Sequence, residues 1–164
     1  MSKVADGDLD VLRILFERHH RHVYNFLYKM CGDTMLSEDI TQEVFYKLMK
    51  YRKSYNQGKF VSWLFTIARN CMNTHFRRSG NTHEDIDEVP LKAMEKVEEI
   101  TDYSQLHLAL SKLSASDREL LVLNRFQEIK YSELAVIVGS TPGAVKTKVN
   151  RALHKLKTIY FQNL

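Results

Sequence analysis

The sequence predicts an all-α chain of two small helical domains joined by an acidic linker, and three observations carry that prediction. Only six Gly and two Pro occur in 164 residues, and β-branched runs are scarce, so little interrupts helices or favours strands. Apolar residues recur at steps of three and four along most of the chain, the spacing of a buried helical face. Charge comes in blocks: residues 1–79 carry +5, residues 80–102 carry −6 and residues 103–164 carry +5. Two basic modules (1–79 and 103–164) around an acidic linker (80–102) is the reading. A hydrophobic share of 44% supplies enough apolar material for two small cores.

From Asp8 to Cys31, Leu12, Leu15, Phe16, Val23, Phe26, Leu27 and Met30 fit helical spacing, as one long helix or as two with a break near His19–His22. Gly32 is a natural stop. His19 and His22 share a face, but no Cys or carboxylate completes a metal shell, so solvated or phosphate-facing imidazoles are expected and no metal. The next helix, capped by Asp33 or Ser37 and running to about Arg52, carries Ile40, Val44 and Leu48 inside. Its outer row is Asp39, Gln42, Glu43 and Tyr46, at i, i+3, i+4 and i+7. Such a row serves solvation, or docking on a basic, elongated protein partner.

A polar turn, KSYNQGK (53–59), leads into the helix predicted over 60–78. Val61, Leu64, Phe65, Ala68 and Met72 form its inner face; Ser62, Thr66, Arg69, Asn70, Asn73 and Arg77 share the other flank. That flank holds donors and cations but no carboxylate, whereas an ordinary solvated face mixes both signs. Tyr51, Lys53, Tyr55, Lys59, Phe60 and Trp63 interleave cations and rings just before and within it. Rings stack unpaired bases and cations hold the backbone beside them, a combination suited to opened strands.

The linker holds Glu84, Asp85, Asp87 and Glu88 and space for a short helix over Leu91–Ile100. Its 23 residues reach at most about 75–80 Å when extended. That suffices to straddle roughly 68 Å, about two turns of duplex. Folded against a basic face, the same strip would weaken DNA binding by the free chain. Beyond it Leu106, Leu110 and Leu113 mark one helix. Leu120, Leu121, Leu123 and Phe126 mark a second, opened by Asp117 or Ser116. A short helix through Leu134, Ala135 and Val138 ends at Gly139; Thr141 then caps a helix with Pro142 at its first position. This last helix buries Val145, Val149, Leu153 and Leu156 and exposes Lys146, Thr147, Lys148, Asn150, Arg151 and Lys155, the helix-turn-helix arrangement.

Cys31 and Cys71 are expected as buried reduced thiols. Asp6, Asp8 and Asp10 stand where a signal sequence would be basic and apolar, and the longest apolar run, Leu134–Val138, is too short for a bilayer. A cytoplasmic protein is expected. No phosphate-cradling Gly loop, metal-ligand set or nucleophile–base spacing points to an enzyme, so neither a catalytic residue nor a cofactor is expected.

SEDITQEVFYKLMK, FVSWLFTIARNCMNTHFRR and YSELAVIVG with PGAVKTKVNRALHKLK, taken in order, resemble bacterial sigma factors of the extracytoplasmic-function (ECF) group. The likeness covers nearly the whole chain apart from the linker. It implies a region 2 bundle in the first module and a region 4 helix-turn-helix in the second. It also implies an alternative sigma factor that binds core RNA polymerase and directs recognition of −35 and −10 elements. The partners implied are the β′ clamp helices and β flap of the polymerase, promoter DNA and an anti-sigma factor. A monomer is expected when free, without membrane insertion, and nucleoid-associated when bound to polymerase. The resemblance assigns Asp39, Gln42, Glu43 and Phe45 to the clamp-docking surface, although Phe45 lies beside the row and fits a core position equally. Lys53, Tyr55, Asn56, Lys59, Trp63, Arg69, Asn70, Asn73 and Arg77 fall to the −10 element, with the 53–59 loop capturing a flipped base. Thr141, Lys146, Thr147, Lys148, Asn150 and Arg151 fall to the −35 major groove. Two departures affect promoter detail: Thr74 stands where the family often has Asp, and Ala144 where it often has Thr or Ser. The rival readings are a stand-alone helix-turn-helix regulator, which binds DNA without polymerase, and a helical adaptor for acidic proteins, which opens no strands.

Overall fold

The structure is a computed structural model that describes residues 8–56, 58–79 and 102–162. The acidic strip, its expected short helix and its proposed contact with a basic face lie outside the described residues.

The first helix, α1 (Leu9–Cys31), is continuous through the histidine cluster. Asp8 opens it by accepting from the amides of Asp10 and Val11 at 3.2 and 3.3 Å. Gly32 closes it with φ +69°, a left-handed conformation that costs a residue with a Cβ, and donates to the Tyr28 carbonyl. Asp33, rather than Ser37, caps α2 (Thr34–Lys50) by accepting from Leu36 at 3.0 Å. Ser37 is buried, its hydroxyl donating to the Asp33 carbonyl at 2.6 Å. A 3₁₀ turn (Arg52–Ser54) then leads to α3 (Phe60–Arg78).

The remaining helices are α4 (Asp102–Ser111), α5 (Ala115–Leu121), α6 (Tyr131–Val138) and α7 (Pro142–Gln162). Ser114 caps α5 by accepting from the Asp117 amide at 3.2 Å, in place of the Ser116 or Asp117 cap expected. The expected single helix through Phe126 instead passes from α5 into a π-helical turn, Val122–Phe126. The chain leaves that turn with Glu128 at φ +56°, and Asn124 Nδ2 donates to the Ile129 carbonyl at 2.9 Å. Gly139 at φ +67° ends α6, and Thr141 Oγ1 accepts from Ala144 at 3.3 Å to start α7.

Helices α1, α2 and α3 pack together around Phe26, Leu27, Leu48, Leu64 and Met72. Helix α7 packs on α4, α5 and α6 around Leu121, Leu134, Val145 and Val149. These two groups do not stand apart. Helix α3 lies against α6, and α1 against α5 and the π turn, so buried residues of both groups form one continuous cluster. Arg118, only 3% exposed, ties the groups covalently distant in sequence: its guanidinium donates to Met30 O at 2.7 Å and to carbonyls of Leu110 and Leu113 at 3.1 and 3.2 Å. A buried cation needs such a full set of acceptors to be tolerated.

Candidate nucleic-acid interface

On α7, buried Val145, Val149, Ala152 and Leu156 fix which side of the helix meets the core. The opposite side is thereby forced outward, and Lys146, Thr147, Lys148, Asn150 and Arg151 are all exposed, as is the cap Thr141. Leu153, expected inside, is half-buried because Ala152 takes the core position. Thr147, Asn150, Arg151, His154 and Lys155 surround a shallow polar depression. His154 was not singled out by sequence spacing, although it continues the row of Thr147, Asn150 and Arg151 by one turn. A long helix with only cations and neutral donors on its open face suits a major groove lined by phosphates and base edges.

Helix α3 is arranged differently. Its core side is Leu64, Phe65, Ala68, Cys71 and Met72, all buried, while Val61 is half-buried. Ser62, expected on the polar flank, is buried and its hydroxyl has no hydrogen-bond partner among the described residues. Asn70 and Arg77 are exposed, Thr66, Asn73 and Thr74 half-buried. Arg69 Nε donates to Glu119 Oε1 of α5 at 2.7 Å. Burial pushes the Glu119 carboxyl above its ordinary range, and the Arg69 charge opposes that shift. Lys59 meets Glu133 of α6 at 2.7 Å, with the lysine largely in solvent. The flank that has no carboxylate of its own therefore receives two from the far end of the chain. Sequence reading missed Glu119, Glu133, Arg118 and His107, since each acts across a long separation and none sits in a local pattern.

Around the 53–59 loop, Lys53 and Asn56 are exposed and Tyr55 and Trp63 half-buried. The Tyr55 hydroxyl donates to the Gly58 carbonyl, and its ring lies 5.3 Å from Trp63 and 6.5 Å from Phe60. His19 packs on Phe60 at 5.1 Å, and burial, with His22 and Arg18 nearby, lowers its pKa. His20 stacks on Phe16 at 4.8 Å, and His22 Nδ1 hydrogen-bonds Gln127 Oε1 at 3.1 Å. These imidazoles make packing and inter-helix contacts in place of the solvated or phosphate-facing role expected.

On α2, Asp39, Gln42 and Tyr46 are exposed, and Glu43 is partly exposed and paired with Lys47 at 2.7 Å. Phe45 is a correction to the docking set: it is 7% exposed and meets Phe16 edge-on at 4.9 Å, a core position. Cys31 and Cys71 are buried and free. Among the described residues no helix is long and apolar enough to cross a membrane.

Comparison with known families matches residues 15–82 to Sigma-70 region 2 and residues 103–156 to Sigma-70, region 4. The chain is 29% identical to the RNA polymerase sigma factor CarQ of Myxococcus xanthus, over 97% of this chain and 94% of that protein. It is 28% identical to the ECF RNA polymerase sigma factor SigM of Bacillus subtilis (strain 168), over 89% of this chain and 93% of that protein. Among solved structures it resembles CnrH in complex with the cytosolic domain of CnrY, with a TM-score of 0.79 and 20% identity over 99% of this chain and 96% of that one. That likeness bears on the fold.

Proposed function

The chain belongs to the sigma-70 family, among its ECF sigma factors, and directs transcription initiation as a partner of core RNA polymerase on promoter DNA; from that premise we propose how its surfaces divide the task. Residues 1–79 form the module that docks on polymerase and opens the −10 element, residues 80–102 the tether, and residues 103–164 the module that holds the −35 element. Sigma factors act as DNA-binding initiation factors, and this chain works without bond chemistry of its own, in the cytoplasm.

The observation that carries the division is the one-signed exposed face of α7, beside an exposed Asp39–Gln42–Tyr46 row on α2. On α7, Arg151, Lys146 and Lys148 reach bases or phosphates of duplex DNA, with Thr141, Thr147 and Asn150 adding neutral donors. On α2, Asp39, Gln42 and Glu43 meet the clamp helices of polymerase, where the exposed acids oppose a basic partner. Asn70, Asn73, Arg69 and Arg77, with Lys53, Tyr55, Asn56, Lys59 and Trp63, hold the unpaired −10 strand. Stacking and phosphate contacts there offset the few kcal/mol, roughly, needed to unstack a base. A protein antagonist of the kind solved with CnrH is a further partner in this reading.

Run-off transcription with core polymerase on a promoter library tests the whole proposal. Specific transcripts that require the chain are expected; transcripts indifferent to it would overturn it. Asp39→Ala with Gln42→Ala is expected to abolish polymerase co-purification while leaving the circular-dichroism spectrum unchanged, because both side chains are exposed. Retained binding would remove the docking assignment. Asn70→Ala with Asn73→Ala should reduce open-complex formation by the holoenzyme, and unchanged opening would remove α3 from the −10 role.

A further inference from the structure

The assignment of α3 to the −10 strand leaves one arrangement unaccounted for. Its flank is occupied by the protein's own carboxylates. Glu119 takes the Arg69 guanidinium at 2.7 Å with both side chains largely withdrawn from water, exposed 10% and 25%. Glu133 takes Lys59 at 2.7 Å at the start of the same helix. A carboxylate that accepts from a guanidinium presents the same oxygen geometry and charge as a backbone phosphate. Further contacts close the seam: Lys29 donates to Tyr103 Oη at 3.2 Å and lies over the Phe126 ring at 5.0 Å, Tyr28 stacks on His107 at 5.7 Å, and Arg118 holds the Met30 carbonyl. The α7 face and the α2 row, by contrast, are exposed.

We infer that the free chain is closed on itself: Glu119 and Glu133 stand in for DNA phosphates on the cationic flank of α3, masking −10 reading while the polymerase-docking row and the −35 helix stay open. This rests on the reading of α3 as the −10 helix. It orders the events. Polymerase can dock on the closed chain through α2, and only a separation of α3 from α5 and α6 frees Arg69 and Lys59 for the unpaired strand. Masking by buried carboxylates also differs from masking by the acidic linker, because it is local, paired and removable by single substitutions.

The contact is read directly by spin labels on Arg13→Cys of α1 and Lys157→Cys of α7, both exposed, with native Cys31 and Cys71 buried. The unaltered chain should give one narrow distance distribution. Glu119→Arg should broaden and lengthen it, and Arg69→Glu should do the same from the other side. Combining the two restores an opposite-charge pair and should restore the narrow distribution. Glu133→Lys, at a less buried position, gives a smaller change in the same direction and guards against misfolding of the Glu119 variant. With the non-template strand of a promoter selected by the holoenzyme as probe, Glu119→Arg should raise polymerase-free affinity about tenfold if nine-tenths of the chain is ordinarily closed. Duplex −35 binding should not change. A broad distribution in the unaltered chain, or no response to either reversal, overturns the closed state. If distances lengthen but strand affinity stays flat, masking is overturned. Whether the −10 assignment itself has failed is then read separately, from open-complex formation by Asn70→Ala with Asn73→Ala.

Discussion

On α7, Lys146, Thr147, Lys148, Asn150 and Arg151 all face solvent, whereas on α3 Arg69 is tied to Glu119, Lys59 to Glu133, and Asn73 is half-buried. Both helices carry a one-signed polar flank. The difference lies in what each flank has to meet. Duplex DNA presents a preformed groove, so an open, rigid helix can engage it without rearrangement. An unpaired strand exists only after polymerase has begun to open the promoter. A flank kept on carboxylates until then is protected from binding other nucleic acid, which a free cationic surface with stacking rings would do unselectively. Exposure on α7 and occupation on α3 thus follow the order in which their ligands appear.

The largest expected effect concerns whether the two regions fold together. Leu64 of α3 is wholly buried in a cluster that continues into α5, α6 and α7. Leu64→Ala should cost about 2–5 kcal/mol of stability and lower a single calorimetric transition. Two transitions, only one of them shifted, would show that the groups fold independently. Next in size, Arg151→Ala should cost about 1–3 kcal/mol in −35 binding if the guanidinium reads a base, and should then relax preference at one position. An even loss across sequences would assign Arg151 to phosphate, and comparing two −35 sequences separates the outcomes.

A pH effect sharpens the contrast further. His107 is 7% exposed, faces Tyr28 across the seam, and its Nε2 has no hydrogen-bond partner among the described residues. Burial, then the Lys29 and Arg118 charges, hold its pKa below the ordinary 6.5. The unfolded chain therefore binds a proton more readily, and the stability due to neutral His107 is present above pH 6.5 and lost as pH falls through the lower folded value. Denaturation midpoints should fall below pH 6.5 with a slope no steeper than about 1.4 kcal/mol per pH unit. His107→Gln should flatten the curve, and an unchanged slope would place the titration elsewhere. Smallest is Lys59→Ala. Its ion pair is solvent-screened, so a stability change under about 1 kcal/mol is expected; a larger one would mean that Lys59 has a structural role.

Most of the helix pattern was legible because it is local. Gly32 and Gly139 end helices at left-handed positions, Thr141 and Pro142 start one, and the 3.6 spacing of α2, α3 and α7 sorts inner from outer residues. The region around residues 115–128 was not. Arg118, Glu119, Leu120 and Leu121 are buried in succession, so α5 is covered on all sides and has no periodicity to read. The π turn after it shifts the phase again. Phe45 and Ser62 were misplaced for a related reason: each borders a polar row in sequence yet turns inward where α1 and the core approach. The α7 surface depends on one helix alone and could be read from sequence. The α3 surface depends on Glu119, fifty residues downstream, and could not.

The central claim is that core polymerase, rather than the free chain, brings both DNA-reading helices onto one promoter. Binding of the purified chain to a promoter selected by the holoenzyme, measured with and without core polymerase and against a scrambled duplex, tests it most directly. Selective binding and strand opening should appear only when core is present. A chain that ignored core yet chose its own duplex site with high selectivity would contradict the account.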